Sequence, residues 1–189
     1  MNGKFYRFLL ITAITMGMAT TASAQRIDIG LQGTPSIPID DNTSNVFELG
    51  FGGKLTGEFF LSDHIGVGVD LGYIAFSETI NVGASMQQDV ELNVIPLEAT
   101  GTYHLDASED FDVFGGAGVG VSIIDDGIDA TDSETNLSFS PRIGASYAIT
   151  DELRANLTGS YLVITNDNDN VDSSQLLNIN LGLTYTILD

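Results

Sequence analysis

Leu177-Asn178-Ile179-Asn180-Leu181-Gly182-Leu183-Thr184-Tyr185-Thr186-Ile187 places an apolar side chain on every odd position and glycine or a small polar side chain on every even one. Successive side chains of a strand point to opposite faces, so this stretch reads as a β-strand with one greasy face and one polar face. Seven further blocks upstream carry the same alternation, within residues 27–31, 47–61, 65–73, 90–103, 111–123, 137–149 and 153–163. In the fourth block Val90, Leu92 and Val94 give way to Leu97, Ala99 and Tyr103. That one-residue slip of phase near Pro96 reads as a β-bulge, and Pro141, also inside a strand, as another.

No Asp, Glu, Lys or Arg falls on the apolar face of any block. The polar face carries Asp28, Glu48, Lys54, Glu58, Asp70, Glu98, Arg142 and Arg154 among many Gly, Ser, Thr and Asn. A water-facing surface would be dense in Lys and Glu, whereas small residues suit the narrow interior of a closed eight-stranded sheet. The apolar face then looks outward, where only lipid can cover it. Outward Phe59, Tyr103, Phe111, Tyr147 and Tyr185 gather at one set of strand ends, and Phe47, Tyr73, Phe139 and Tyr161 at the other. Two aromatic girdles around an aliphatic band are the interface anchors of a membrane barrel. Short connections at 62–63, 105–110 and 150–151 alternate with longer acidic ones at 34–46, 76–89, 124–136 and 165–175. The expected fold is all-β: an eight-stranded antiparallel up-and-down transmembrane β-barrel in which Glu48, Lys54, Glu58, Asp70, Glu98, Arg142 and Arg154 form a lumenal charge network.

The N-terminus points to export. Lys4 and Arg7 precede a short apolar run, and Ala22-Ser23-Ala24 precedes Gln25. A cationic start, an apolar stretch below the roughly 20 residues that span a bilayer, and small residues at −3 and −1 make residues 1–24 a cleaved signal peptide. Residues 25–189 remain as one barrel domain. The absence of Cys excludes disulfides and thiolate metal sites. A net charge of −20 argues against nucleic acid as a partner.

The strand–turn–strand unit Phe139-Ser140-Pro141-Arg142-Ile143-Gly144-Ala145-Ser146-Tyr147 and its continuation to Leu153, together with Ile95-Pro96-Leu97 leading to Tyr103, resemble the small bacterial outer-membrane β-barrel superfamily. Its members include OmpA-barrel, OmpX and OmpW-like "porin family" proteins. Asn180, Gly182, Tyr185 and Ile187 resemble the C-terminal signal read by the barrel-assembly machinery, although the family usually closes on Phe and this chain runs on to Asp189. The resemblance implies a monomer in the bacterial outer membrane, with outer-membrane lipid and the assembly machinery as partners and no cofactor.

Candidate chemistry is sparse. Mixed lumenal charges suit a salt-bridged, plugged interior with a structural or surface-interaction role, and a narrow channel for small solutes is the alternative. A soluble periplasmic ligand-binding barrel is a further alternative, in which the apolar face would point inward. Asp167, Asp169 and Asp172 alternate with amides as oxygen ligands for a divalent cation would, but lack the Gly and Glu of a Ca²⁺ loop, so a solvated loop is expected. Residues 115–120 are Gly-rich without nucleotide-loop spacing. Both histidines, His64 and His104, fall at expected turns, so no enzyme is expected.

Overall fold

The computed structural model describes residues 26–81, 87–125, 134–165 and 173–188. The expected leader and the candidate ligands Asp167, Asp169 and Asp172 lie outside them. Eight strands follow one another: β1 (Ile27–Pro38), β2 (Gly50–Ser62), β3 (Ile65–Asn81), β4 (Gln87–Asp106), β5 (Phe111–Asp125), β6 (Glu134–Ala148), β7 (Leu153–Ile164) and β8 (Ser174–Leu188). A single helical turn, α1 (Asp41–Ser44), lies between β1 and β2. Each strand pairs antiparallel with its sequence neighbour, and β1 pairs with β8, so the sheet closes.

Register fixes the shape. Following partners around the wall leads from Ile29 through Gly57, Val69, Ala99, Val119, Phe139 and Val163 to Gln175. The carbonyl of Gln175 accepts from the N–H of Ile39, so one circuit returns to β1 ten residues further on. With strands about 4.8 Å apart and a rise of about 3.4 Å per residue, that stagger requires a tilt of about 40°. The stretch 177–187 then covers about 26 Å along the barrel axis, the height of a lipid-facing band.

Among the described side chains of the barrel wall, even-numbered ones point into the lumen and odd-numbered ones point out, with Ser62, past the β2–β3 irregularity, as an exception. Leu181 is 65 % exposed, and Leu49, Val69 and Val119 are exposed as well. A water-soluble barrel would enclose these residues, so the apolar-inside alternative is overturned. Tyr73, Tyr103, Phe111, Phe139, Tyr147 and Tyr185 are exposed outward, with Phe59 and Tyr161 half-buried on the same side. The Tyr73 hydroxyl donates to Asn93 Oδ1 (2.8 Å) and that of Tyr161 to Gln175 Oε1 (2.5 Å), tying two girdle rings to adjacent strands.

Several expectations are corrected. Neither inner proline makes a bulge: β3/β4 and β5/β6 keep one register past Pro96 and Pro141. Each proline lacks a ladder donor, and this interrupts the pairing locally without inserting a residue. The irregularities lie instead between Ile27 and Asp28 and between Phe60 and Ser62. The long connections are shorter than expected, because ladders continue to Asn81↔Gln87, Ile124↔Glu134 and Ile164↔Ser174. Phe47 is no girdle residue; it precedes β2 and is buried. Glu48 is exposed in the same connection and belongs to no lumenal network.

Candidate functional site

The lumen is built in layers because inward positions at one height come from different strands. At mid-height β2, β3, β4 and β6 supply Lys54, Asp70, Glu98 and Arg142. Arg142 donates to Asp70 (2.5 Å), Glu98 (3.1 Å) and the Ser140 hydroxyl (3.0 Å). Lys54 Nζ lies 3.3 Å from Asp70, and Ser140 donates to Glu98 at 2.7 Å. The belt needs a gap in the wall. A Cβ on Gly118 would stand 2.7 Å from Arg142 Nη2 and from Ser140 Oγ, so glycine leaves the space the guanidinium occupies.

A second cluster fills the short-turn end. Arg154 donates to Asp112 (2.6 Å) and to Ser146 Oγ (2.7 Å). Arg26 pairs with Asp28, lies 4.3 Å above the Phe60 ring, and Thr186 donates to Asp28 at 2.7 Å. His104 is buried between the rings of Phe60 and Phe114, with centroids 5.0 and 5.1 Å away. His104 is therefore a lumenal residue and not the turn residue expected; His64 does occupy the β2–β3 turn. His104 Nε2 sits 3.3 Å from Glu58 Oε1 and from Thr102 Oγ1, and Nδ1 sits 3.7 Å from Asp112. This hydroxyl–imidazole–carboxylate alignment is not a nucleophilic triad. The Thr102 hydroxyl donates to Glu58, and Asp112 is engaged by Arg154.

The expected charge network thus forms from Lys54, Glu58, Asp70, Glu98, Arg142 and Arg154, without Glu48. Sequence reasoning missed Arg26, His104 and Asp112 as members and left Asp28 outside the network. A compositional signal was available: Arg26, Lys54, Arg142 and Arg154 are all the Lys and Arg after residue 24, and all four line the lumen. They face five lumenal acids, Asp28, Glu58, Asp70, Glu98 and Asp112.

Toward the long-loop end the inward side chains are hydrocarbon. Inward Ile74, Phe76, Val94, Leu162, Ile164 and Leu176 join Phe47 in one buried cluster, against which Val90, Leu92 and Ile124 pack. Phe76 is 0 % exposed. The phase slip read as a bulge is this seal: the apolar residues of β4 change face at Pro96 while the strand keeps its register. Between seal and belt lie small polar groups, where Thr34 donates to Asn180 Oδ1 (2.8 Å) and Asn180 Nδ2 to the Thr158 carbonyl (3.2 Å). Asn180 and Gly182 of the expected assembly signal therefore face inward, and Tyr185 and Ile187 face outward. Two cavities, of about 60 Å³ among the charged groups and about 20 Å³ beside Pro96, have room for a few water molecules and one.

No curated protein sequence matches the chain. Among solved structures, Neisserial surface protein A is similar at 17 % identity and a TM-score of 0.63, over 84 % of this chain and 96 % of that one. OprG from Pseudomonas aeruginosa is similar at 13 % identity and a TM-score of 0.59, over 87 % and 96 %. Ail, the attachment invasion locus protein of Yersinia pestis, gives 14 % and 0.54, over 87 % and 100 %. Identities this low speak for the shared fold alone. The family model for the outer membrane protein beta-barrel domain matches residues 8–186, nearly the whole length of the sequence, and with the closed, lipid-facing barrel described above the chain belongs to that family.

Proposed function

We propose that this outer-membrane protein is a non-conducting barrel that anchors and presents its long loops at the cell surface, in a structural or surface-interaction role. The observation that supports this reading most is that two layers of side chains, one charged and one apolar, are stacked across the lumen. The Lys54–Asp70–Arg142–Glu98 belt crosses mid-height, and the apolar seal lies above it. A hydrated ion would have to break buried ion pairs and then pass hydrocarbon, and each step is costly. Short turns lie on the periplasmic side in these barrels, so the seal faces outward and the His104 cluster faces the periplasm. Three of the four long connections carry acids and none carries Lys or Arg, so the surface they offer repels polyanions.

The similar structures include one named a surface protein and one named an attachment invasion locus protein, in keeping with display of loops on a closed barrel. In this reading the barrel works as a monomer without cofactor or catalysis. The assembly machinery inserts it by way of Asn180, Gly182, Tyr185 and Ile187. Recordings from purified protein in planar bilayers test the proposal. It requires a flat baseline; discrete steps that change in Arg142→Gln would establish the narrow channel instead.

A further inference from the structure

We propose that the segment between β1 and β2 is a hinged lid over the outward mouth of the lumen, latched by Asp40 and plugged by Phe47. Its attachments differ in kind from those of the rest of the seal. Among the described residues, six members of the buried cluster sit on strands and pair in the sheet ladders, whereas Phe47 comes from a connection. From Ile39, whose N–H still reaches the Gln175 carbonyl (2.9 Å), to Gly50, where β2 begins, no residue joins a ladder.

The latch is the buried carboxylate of Asp40. Asp40 Oδ1 accepts from the backbone N–H of Gln175 (2.8 Å), at the start of β8. Its Oδ2 accepts from the Thr43 N–H (2.9 Å) and the Thr43 hydroxyl (2.8 Å), which caps α1. The helical turn then carries Phe47 inward: the Phe47 N–H donates to the Thr43 carbonyl (2.9 Å), and its ring meets Phe76 at 5.8 Å. Asp40 and Phe47 can both release without breaking any strand pair, so the lid opens at the cost of a local and not a global transition. Opening bares the strand-borne seal to the outside while the Arg142 belt stays shut. The lid therefore changes what the mouth presents outward and is independent of whether the lumen conducts.

The chain has no cysteine, so a single one reports access cleanly. Ser138→Cys, at a buried lumenal position paired with Ile164, is placed in the full-length protein folded in lipid vesicles. The rate of labelling by a water-soluble maleimide is then measured against urea below the unfolding transition; Leu162→Cys is a second reporter. The lid requires a rate that is flat in urea, and faster by about tenfold or more when Asp40→Ala removes charge-assisted hydrogen bonds. Phe47→Ala should accelerate labelling in the same way. Equal rates with and without these substitutions would overturn the proposal. So would a rate that climbs with urea as steeply as global unfolding, because the segment would then be a fixed part of the wall.

Discussion

Arg142→Ala is the sharpest perturbation of the lumen. The guanidinium and both carboxylates it holds are all less than one-tenth exposed. Truncation removes the bonds to Asp70, Glu98 and Ser140 together. Asp70 keeps Lys54 at 3.3 Å, but Glu98 retains only the Ser140 hydroxyl at 2.7 Å. Deleting one partner of a buried ion pair costs about 3–5 kcal/mol. The cavity of about 60 Å³ beside Arg142 and the one of about 20 Å³ beside Glu98 let water reach the abandoned acid, which favours the lower end, about 3 kcal/mol. For a urea dependence of about 1–3 kcal/mol per molar, the unfolding midpoint should fall by about 1–3 M. The assay is the fraction of compact, unboiled band on a gel across urea, in lipid vesicles. Adding Glu98→Ala removes the orphaned acid and should restore part of the loss, as a coupling of about 0.5–3 kcal/mol. A loss for Arg142→Ala within about 0.5 kcal/mol, the range of an ordinary surface change, would refute a packed and largely dry belt.

Other substitutions separate the layers. Phe76→Ala empties the middle of the seal and should cost about 3–5 kcal/mol in the same urea assay, with the folded band retained at low urea. Gly118→Leu drives a side chain into the guanidinium of Arg142 and should destabilise by about 1–3 kcal/mol, whereas Gly101→Leu, where a Cβ meets nothing within 4 Å on the lipid side, should be tolerated in the same titration. Leu181→Arg puts a charge against the lipid band and should cost about 2–4 kcal/mol, while Leu181→Phe at the same site leaves the midpoint unchanged within about 0.5 kcal/mol.

Strand count, closure and the outward face were legible because one parity of residue holds from β1 to β8, and glycine and hydroxyl residues mark the narrow side. The charged belt was legible in part, since Lys54, Asp70, Glu98 and Arg142 all sit on that parity. His104 was misplaced because β4 runs on to Asp106, two residues beyond it, and a turn boundary cannot be located that finely from pattern. The seal was missed for a physical reason. Where both faces of a strand are apolar, alternation disappears, and the slip at Pro96 then imitates a bulge. The signal lay in Tyr73-Ile74-Ala75-Phe76 and Tyr161-Leu162-Val163-Ile164, continuous apolar runs that mean burial on both faces. Phe47 and Glu48 extend the alternation of β2 by eye. The ladder stops at Gly50, however, and a connection has no parity to obey.

Nitroxide labels placed one at a time at residues 177–187 of β8, in vesicles, test the two-faced wall most directly. Collisions with dissolved oxygen and with a polar nickel chelate are compared at each position. The structure requires high oxygen and low chelate accessibility at 177, 179, 181, 183 and 185, and low values of both at 178, 180 and 182. Oxygen-rich even positions, or odd positions shielded from both reagents, would contradict a barrel that turns hydrocarbon outward and charge inward.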